Sequence, residues 1–238
     1  MKRHFNRRLC QMIIDMHMHE MRYSGDSFLR LENMVEIAKR RGLDGICITD
    51  HDSMGLKEFA AEYSEKTGFP IFVGIEFYSL QGDIVAFGIE DYPKERIPAQ
   101  EFVDLVQAQG GMCFSAHPFR INNRGLEENL KIVKGLDGIE VLNGSTLYEA
   151  NRKAAEYAAE LGLATVGSSD CHVPEKLGLY ATYFPREIRS VQELIRSVKR
   201  CETLPVYYKE GGYYLWDMKN PIDAPFHIYE QEQMVCAG

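Results

Sequence analysis

The chain has no long apolar run. Nowhere in its 238 residues does an uninterrupted hydrophobic stretch approach the roughly 18 residues that a membrane-spanning helix requires, so no membrane partner is expected. The basic start (Lys2, Arg3, Arg7, Arg8) is not followed by an apolar segment of signal-peptide length. Paired cysteines are missing too. Cys10, Cys47, Cys113, Cys171, Cys201 and Cys236 are scattered without a Cys-x-x-Cys pair, which argues against a disulfide framework and for a reducing compartment. A cytoplasmic protein is the expectation. Positive charge is also short. The net charge of −8 lacks the basic stripe of a duplex nucleic-acid binder, although bound divalent cations would leave a nucleotide substrate open. There is no internal repeat and no low-complexity linker.

What is present is an ordinary globular composition, 45% apolar and 26% charged, in which short apolar runs alternate with amphipathic stretches. Strands are expected at 12–16, 44–49, 70–75, 83–88, 111–115, 137–142 and 164–167. Helices are expected at 28–41, 56–66, 99–109, 126–134, 148–161 and 191–200. Gly42 stands where a helix stop is expected. Residues 71–88 carry no intervening helix and suggest an adjacent strand pair. About seven strands separated by helices favour an α/β, barrel-like parallel sheet with right-handed crossovers. The tail from residue 204 differs: Val206, Tyr207 and Tyr208, then Gly211 and Gly212, then Tyr213 to Trp216 suggest a hairpin, with Pro221 and Pro225 further on. Two parts are expected, 12–200 as the barrel and 201–238 as an extension packed on it.

Five of the seven histidines fall just after apolar runs, where strands end and barrel enzymes carry their chemistry. Asp15, His17 and His19 have i, i+2, i+4 spacing and would share one face of a strand. Two such imidazoles can share an ion, with Asp15 placed to hydrogen-bond a ligand. Asp50 and His51 end the next run; His51 is the better ligand candidate, and one of the neighbouring acids is structural. Glu76 has two oxygens with which to bridge two ions. His117 precedes Pro118, which favours an extended backbone and a fixed direction; structural and ligating roles both suit it. Asp170 and His172 again have i, i+2 spacing. Asp26 sits in a Gly-containing loop, as a ligand or as a turn residue. Arg120 is the candidate for gripping an anionic group, and Asn143 ends another strand, although plain loop roles fit both. Together the donors exceed the need of one ion. Mixed histidine and carboxylate donors suit Mn, Fe or Zn better than Mg or Ca, and two or three clustered ions are implied.

From Met12 to His172 the ordered set D-x-H-x-H, G-D-S, T-D-H, G-x-E, H-P, E-V-x-N and S-D-x-H resembles the PHP (polymerase and histidinol phosphatase) metal-dependent phosphoesterases. That resemblance implies a distorted seven-stranded (β/α) barrel. It makes His17, His19, Asp26, His51, Glu76, His117, Asp170 and His172 the ligands, with Glu76 bridging. It also implies hydrolysis of a small phosphorylated metabolite or nucleotide by a metal-activated water, with Arg120 stabilising the leaving oxygen and His117, or another histidine not saturated by metal, protonating it. One departure bears on the metal count: where many members have a further histidine, this chain has Asp83. The alternatives are a 3′–5′ exonuclease on single strands and a catalytically silent metal-binding module acting through the Tyr-rich tail.

Overall fold

The computed structural model describes residues 11–217. Among these residues eleven strands form two sheets, accompanied by five α-helices. The first sheet begins with two βαβ units. Strand β1 (Met12–Asp15) runs parallel to β2 (Gly45–Ile48), and β2 to β3 (Ile71–Val73), with α1 (Leu31–Arg41) and α2 (Lys57–Thr67) as crossovers. Helix α1 buries Leu31, Met34, Val35 and Ala38, the face expected from its periodicity, and stops at Gly42, whose φ of 77° suits glycine. Every residue of β1 and β2 is buried, as expected of strands covered on both sides.

The chain leaves this sheet at Gly74. A Cβ there would lie 2.4 Å from the Ala86 carbonyl oxygen, so only glycine lets the backbone pass. Strands β4 (Ile75–Tyr78) and β5 (Asp83–Phe87) then form an antiparallel pair; a pair was expected within 71–88, but the strand expected at 70–75 stays on β2 as β3, and the partner of β5 is the separate strand β4. β5 pairs antiparallel with β6 (Met112–Ser115), while β7 (Gly138–Asn143) and β8 (Ala164–Ser168) continue in parallel. Helix α3 (Ala99–Ala108) precedes β6, and α4 (Tyr148–Leu161) precedes β8. The helix expected at 126–134 shrinks to a 3₁₀ turn, Glu127–Lys131.

Besides β4, one more strand was not foreseen. β9 (Tyr180–Phe184) lies antiparallel to β1, with Ile14 opposite Thr182. After α5 (Val191–Lys199), β10 (Leu204–Lys209) pairs with β9, and β11 (Gly212–Leu215) closes the expected hairpin. The described part of the tail thus continues the first sheet. Pro221, Pro225, Cys10, Cys236 and the basic start lie outside the described residues. No closed barrel is detected among those residues: hydrogen bonding draws a mixed α/β fold of two sheets, and the β4–β5, β5–β6 and β1–β9 pairs are antiparallel. Between the sheets, Ile14, Cys47, Val85, Phe114, Val166 and Phe184 share one buried cluster. At the rim, single bridges join Met18 to Cys171 and His51 to Glu76. No described helix is long and apolar enough to cross a membrane.

Candidate metal centre

The strand ends meet at this rim. β1 stops at Asp15, whose carboxylate accepts from the Ser169 and Gly178 backbone N–H groups at 2.9 and 3.0 Å. Asp15 therefore holds the loop after β8 in place and meets His17 at its backbone, not at its imidazole, which narrows its expected role. Its burial pushes its pKa up to about 7 against these hydrogen bonds. The chain then threads between the ends of β2 and β8: Thr49 N–H donates to the Met18 carbonyl, and Asp170 N–H to that of His17. This path, rather than a continuing strand, brings His17 and His19 to the same side.

His117 departs from the extended backbone expected before proline. Its φ is 27°, and Asp170 has φ 49°. Left-handed backbone at non-glycine residues is costly and collects at functional sites. Here each N–H has a partner. His117 donates to Glu140 Oε2 at 2.7 Å and Asp170 to the His17 carbonyl at 2.9 Å.

The floor of the site is buried. His17 Nδ1 lies 3.2 Å from Glu140 Oε1, and a carboxylate can only accept, so that nitrogen carries the proton. Ser24 donates its hydroxyl proton to Asp50 Oδ1 at 2.8 Å and accepts from His19 Nδ1 at 3.2 Å. Both imidazoles are thereby oriented with Nε2 inward, 3.0 Å apart. Two neutral imidazole lone pairs at that distance repel unless a proton or a metal ion lies between them. Around them, Glu76 Oε1 is 3.4 Å from His17 Nε2, and Asp170 Oδ1 is 3.3 Å from His19 Nε2. His117 Nε2 is 2.9 Å from Glu76 Oε1. The mouth is more open. His51 Nε2 and His172 Nε2 lie 3.3 and 3.4 Å from Asp26 Oδ2, and the Asp26 side chain is 60% exposed. Arg120 reaches down to Asp170 Oδ2 at 3.0 Å, and Asn143 Nδ2 donates to the same oxygen at 3.2 Å.

The electrostatics of the floor call for positive charge. Burial pushes His17 down, but Asp170, Glu76 and Glu140 outweigh it and hold its pKa well above the ordinary value. Burial dominates at His19, whose pKa falls to about 3. Glu76 and Asp170 are held well below the carboxylate range despite burial, chiefly by His17, with hydrogen bonds from His117 on Glu76 and from His19 on Asp170. His51 rises to about 9 against its burial because Glu76 and Asp26 face it. Burial and then Glu76 push Asp83 up to about 6, opposed by Arg124.

The donor set fits divalent ions. Four overlapping groups each bring donor atoms within 4.8 Å of one another: His19, His51, His172; His17, His19, Glu76; His17, His117, Asp170; and Glu76, Asp83, His117. His51 Nδ1 and Glu76 Oε2 lie 2.7 Å apart yet are misaligned for a hydrogen bond, leaving two buried polar atoms without one. Such orphans are costly unless something else satisfies them. Of the residues read as ligands, seven belong to these groups. The eighth, Asp26, touches only the ring edges of His51 and His172.

Three participants escaped the sequence reading. Glu140 sits inside β7 and gathers His17, the His117 N–H, Asn143 Nδ2 and the Ser168 hydroxyl. The E-V-x-N segment that contains it was the available signal. Ser24 links Asp50 to His19, which gives Asp50 the structural role that one of the neighbouring acids was expected to have. Arg124 holds Asp83 through Nε and Nη2 at 2.6 and 2.9 Å, and nothing local in the sequence separates it from any loop arginine.

A PHP-associated family model matches residues 148–203, from α4 into the start of the tail. Two structures share the fold. One is a two-domain protein from Bacteroides vulgatus containing a predicted PHP-like metal-dependent phosphoesterase. Its TM-score is 0.67 at 22% identity, over 83% of this chain and 65% of that one. The other is a lesion-specific endonuclease from Pyrococcus furiosus, with a TM-score of 0.63 at 17% identity over 86% of this chain and 57% of that one. The PHP-associated match over residues 148–203 and the shared fold support the motif resemblance to the PHP superfamily. In sequence, the uncharacterised protein MJ1587 of Methanocaldococcus jannaschii is 28% identical over 140 residues, 54% of this chain and 80% of the relative. The chain spans about two thirds or less of both structural neighbours. An endonuclease Q structure holds a 27-mer duplex with an abasic lesion at its active site.

Proposed function

We propose that the protein is a metal-dependent phosphoesterase in which His17, His19, Asp26, His51, Glu76, His117, Asp170 and His172 hold two or three divalent ions, Mn, Fe or Zn, at the rim of a barrel-like pair of sheets. The carrying observation is the convergence of the His17 and His19 Nε2 atoms, 3.0 Å apart, between Glu76 and Asp170. When bound, the ions would supply Lewis acidity and a water acidic enough to attack phosphorus. The chain's own residues do the rest. Glu140 and Ser24 fix the two ring tautomers, and buried Glu76 lies between His17, His51 and His117 with an oxygen to spare for a second ion.

Arg120 is the group for substrate. It is anchored to Asp170 at one Nη, while its 32% exposed side chain faces the mouth, where a guanidinium can orient a phosphoryl group and stabilise a leaving oxygen. His117 is better suited to ligation than to acid catalysis, because its Nδ1 is sealed from solvent and Nε2 faces Glu76. The favoured substrate is a small phosphorylated metabolite or nucleotide. A second reading, phosphodiester cleavage in nucleic acid, is favoured by the fold shared with the endonuclease. Phosphate release from an ester panel, with labelled single-stranded and duplex DNA assayed alongside, separates the two readings. His17→Ala should reduce either activity on the order of a thousandfold, the scale of losing several kcal/mol of metal-borne stabilisation. Turnover that survives complete chelation would contradict both.

A further inference from the structure

One corner of the centre already carries a cation. Asp83, at the head of β5, forms with Glu76 and His117 a group whose donor atoms lie within 4.8 Å. Judged by donor type alone, that corner is a metal position like the other three. Both Asp83 oxygens, however, are engaged by Arg124, Nε to Oδ2 at 2.6 Å and Nη2 to Oδ1 at 2.9 Å. This is the bidentate fork that makes arginine a strong carboxylate partner. The arginine is itself held. Its guanidinium carbon lies 4.4 Å from the centre of the Tyr78 ring, and that of Arg96 lies 3.6 Å from the same ring. Arg96 is fixed in turn by the Ser79 carbonyl at 2.8 Å.

The main chain joins the same two loops. Asp83 N–H donates to the Arg124 carbonyl at 2.7 Å, and a Cβ on Gly82 would lie 2.6 Å from the Gly125 carbonyl carbon. Segments 82–83 and 124–125 are thus clamped through side chain and backbone together. A divalent ion in this corner would have to take an Asp83 oxygen from an arginine that stays charged at any working pH. It would also sit beside that positive charge.

We propose that the Arg124 guanidinium is the resident cation of the Glu76–Asp83–His117 corner, so that this corner excludes a metal ion and the centre binds one ion fewer than its donors would permit. The inference rests on the metal-centre reading above. Arg124 then acts as a positioning residue. It supplies a fixed, non-exchangeable charge where the other corners use ions, and it leaves Glu76 and His117 to serve those ions.

The test is metal content of the full chain, equilibrated with Mn and desalted, for wild type, Arg124→Ala, Arg124→Lys and the Asp83→Asn/Arg124→Ala double variant. Arg124→Ala should hold about one equivalent more than wild type, while Arg124→Lys and the double variant should stay at the wild-type count. Without metal, Arg124→Ala should melt below wild type, and Mn should raise its Tm by more than it raises that of wild type. Equal, non-zero metal content in wild type and Arg124→Ala overturns the inference and leaves the metal-centre reading standing. Metal in none of the proteins overturns both. Should Arg124→Ala fail to fold, anomalous diffraction from Mn-soaked wild-type crystals decides. A peak between Glu76, Asp83 and His117 overturns the proposal, and peaks at the other corners alone support it.

Discussion

Glu140 shows how much of this site is decided one residue away from the donor atoms. Its two oxygens set the tautomer of His17, satisfy the N–H of a strained His117 and accept from Asn143, which also contacts Asp170. Partners of this kind typically govern metal affinity or activity by about 10–100-fold. Glu140→Gln, which keeps the shape but presents an N–H₂ to a nitrogen that must donate, should weaken metal binding by that factor; titration of the metal-free protein with Zn measures it. An unchanged affinity would mean that His17 is oriented by something else. The ligand candidates other than Asp26 were legible because they lie at the ends of apolar runs, where strands end and chemistry meets solvent. Glu140 was not, because it lies within such a run and its partners come from the segments after β1 and β6, from β7 and from β8. Asp15 misled for a related reason. Period-two spacing says which face a residue shares only while the strand continues, and β1 ends at Asp15.

At the scale of elements, the clearest signals were local ones. Helix α4 spans Tyr148–Leu161 as its periodicity predicts, and α5 lies where a helix was expected at 191–200, with the structure adding a cap at Ser190. Ser190 accepts from Glu193 N–H at 3.3 Å, while the Glu193 carboxylate accepts from Arg189 N–H at 2.7 Å. Ser190→Ala should therefore cost about 1 kcal/mol in urea unfolding. Gly74 is the sharper test, because it is the hinge between the sheets. Gly74→Ala would force its Cβ or the Ala86 carbonyl to shift, a strain of about 1–3 kcal/mol by analogy with overpacked cores. It should also disturb Glu76, two residues on, so metal affinity should fall together with stability. A variant equal to wild type in both would remove Gly74 from this role. The 3₁₀ turn at Glu127–Lys131 was over-read as a helix because its apolar residues (Leu126, Leu130, Val133) have helical spacing. β9 was missed although its five residues are all buried, like those of β1 and β2.

For the molecule as a whole, sequence pattern gave the alternation of strand and helix but not the pairing. β1 is flanked by β2, its near neighbour in sequence, and by β9 from the far end of the chain, and no local pattern reports the second contact. The same folding-back carries Asp170 and His172 to His17 and His19, so the centre exists only once the sheets have assembled. Ions bound there would stabilise the assembled state alone, contributing about 4 kcal/mol at a free concentration a thousand times the Kd, and chelation should lower the Tm accordingly. The most direct measurement is elemental analysis of the protein purified without added metal, with phosphate release from an ester panel assayed on the same sample before and after chelation. The account predicts about two equivalents of metal per chain, with turnover that is lost on chelation and restored by Mn, Fe or Zn. Less than one equivalent, with no turnover after any of these metals is returned, would contradict it.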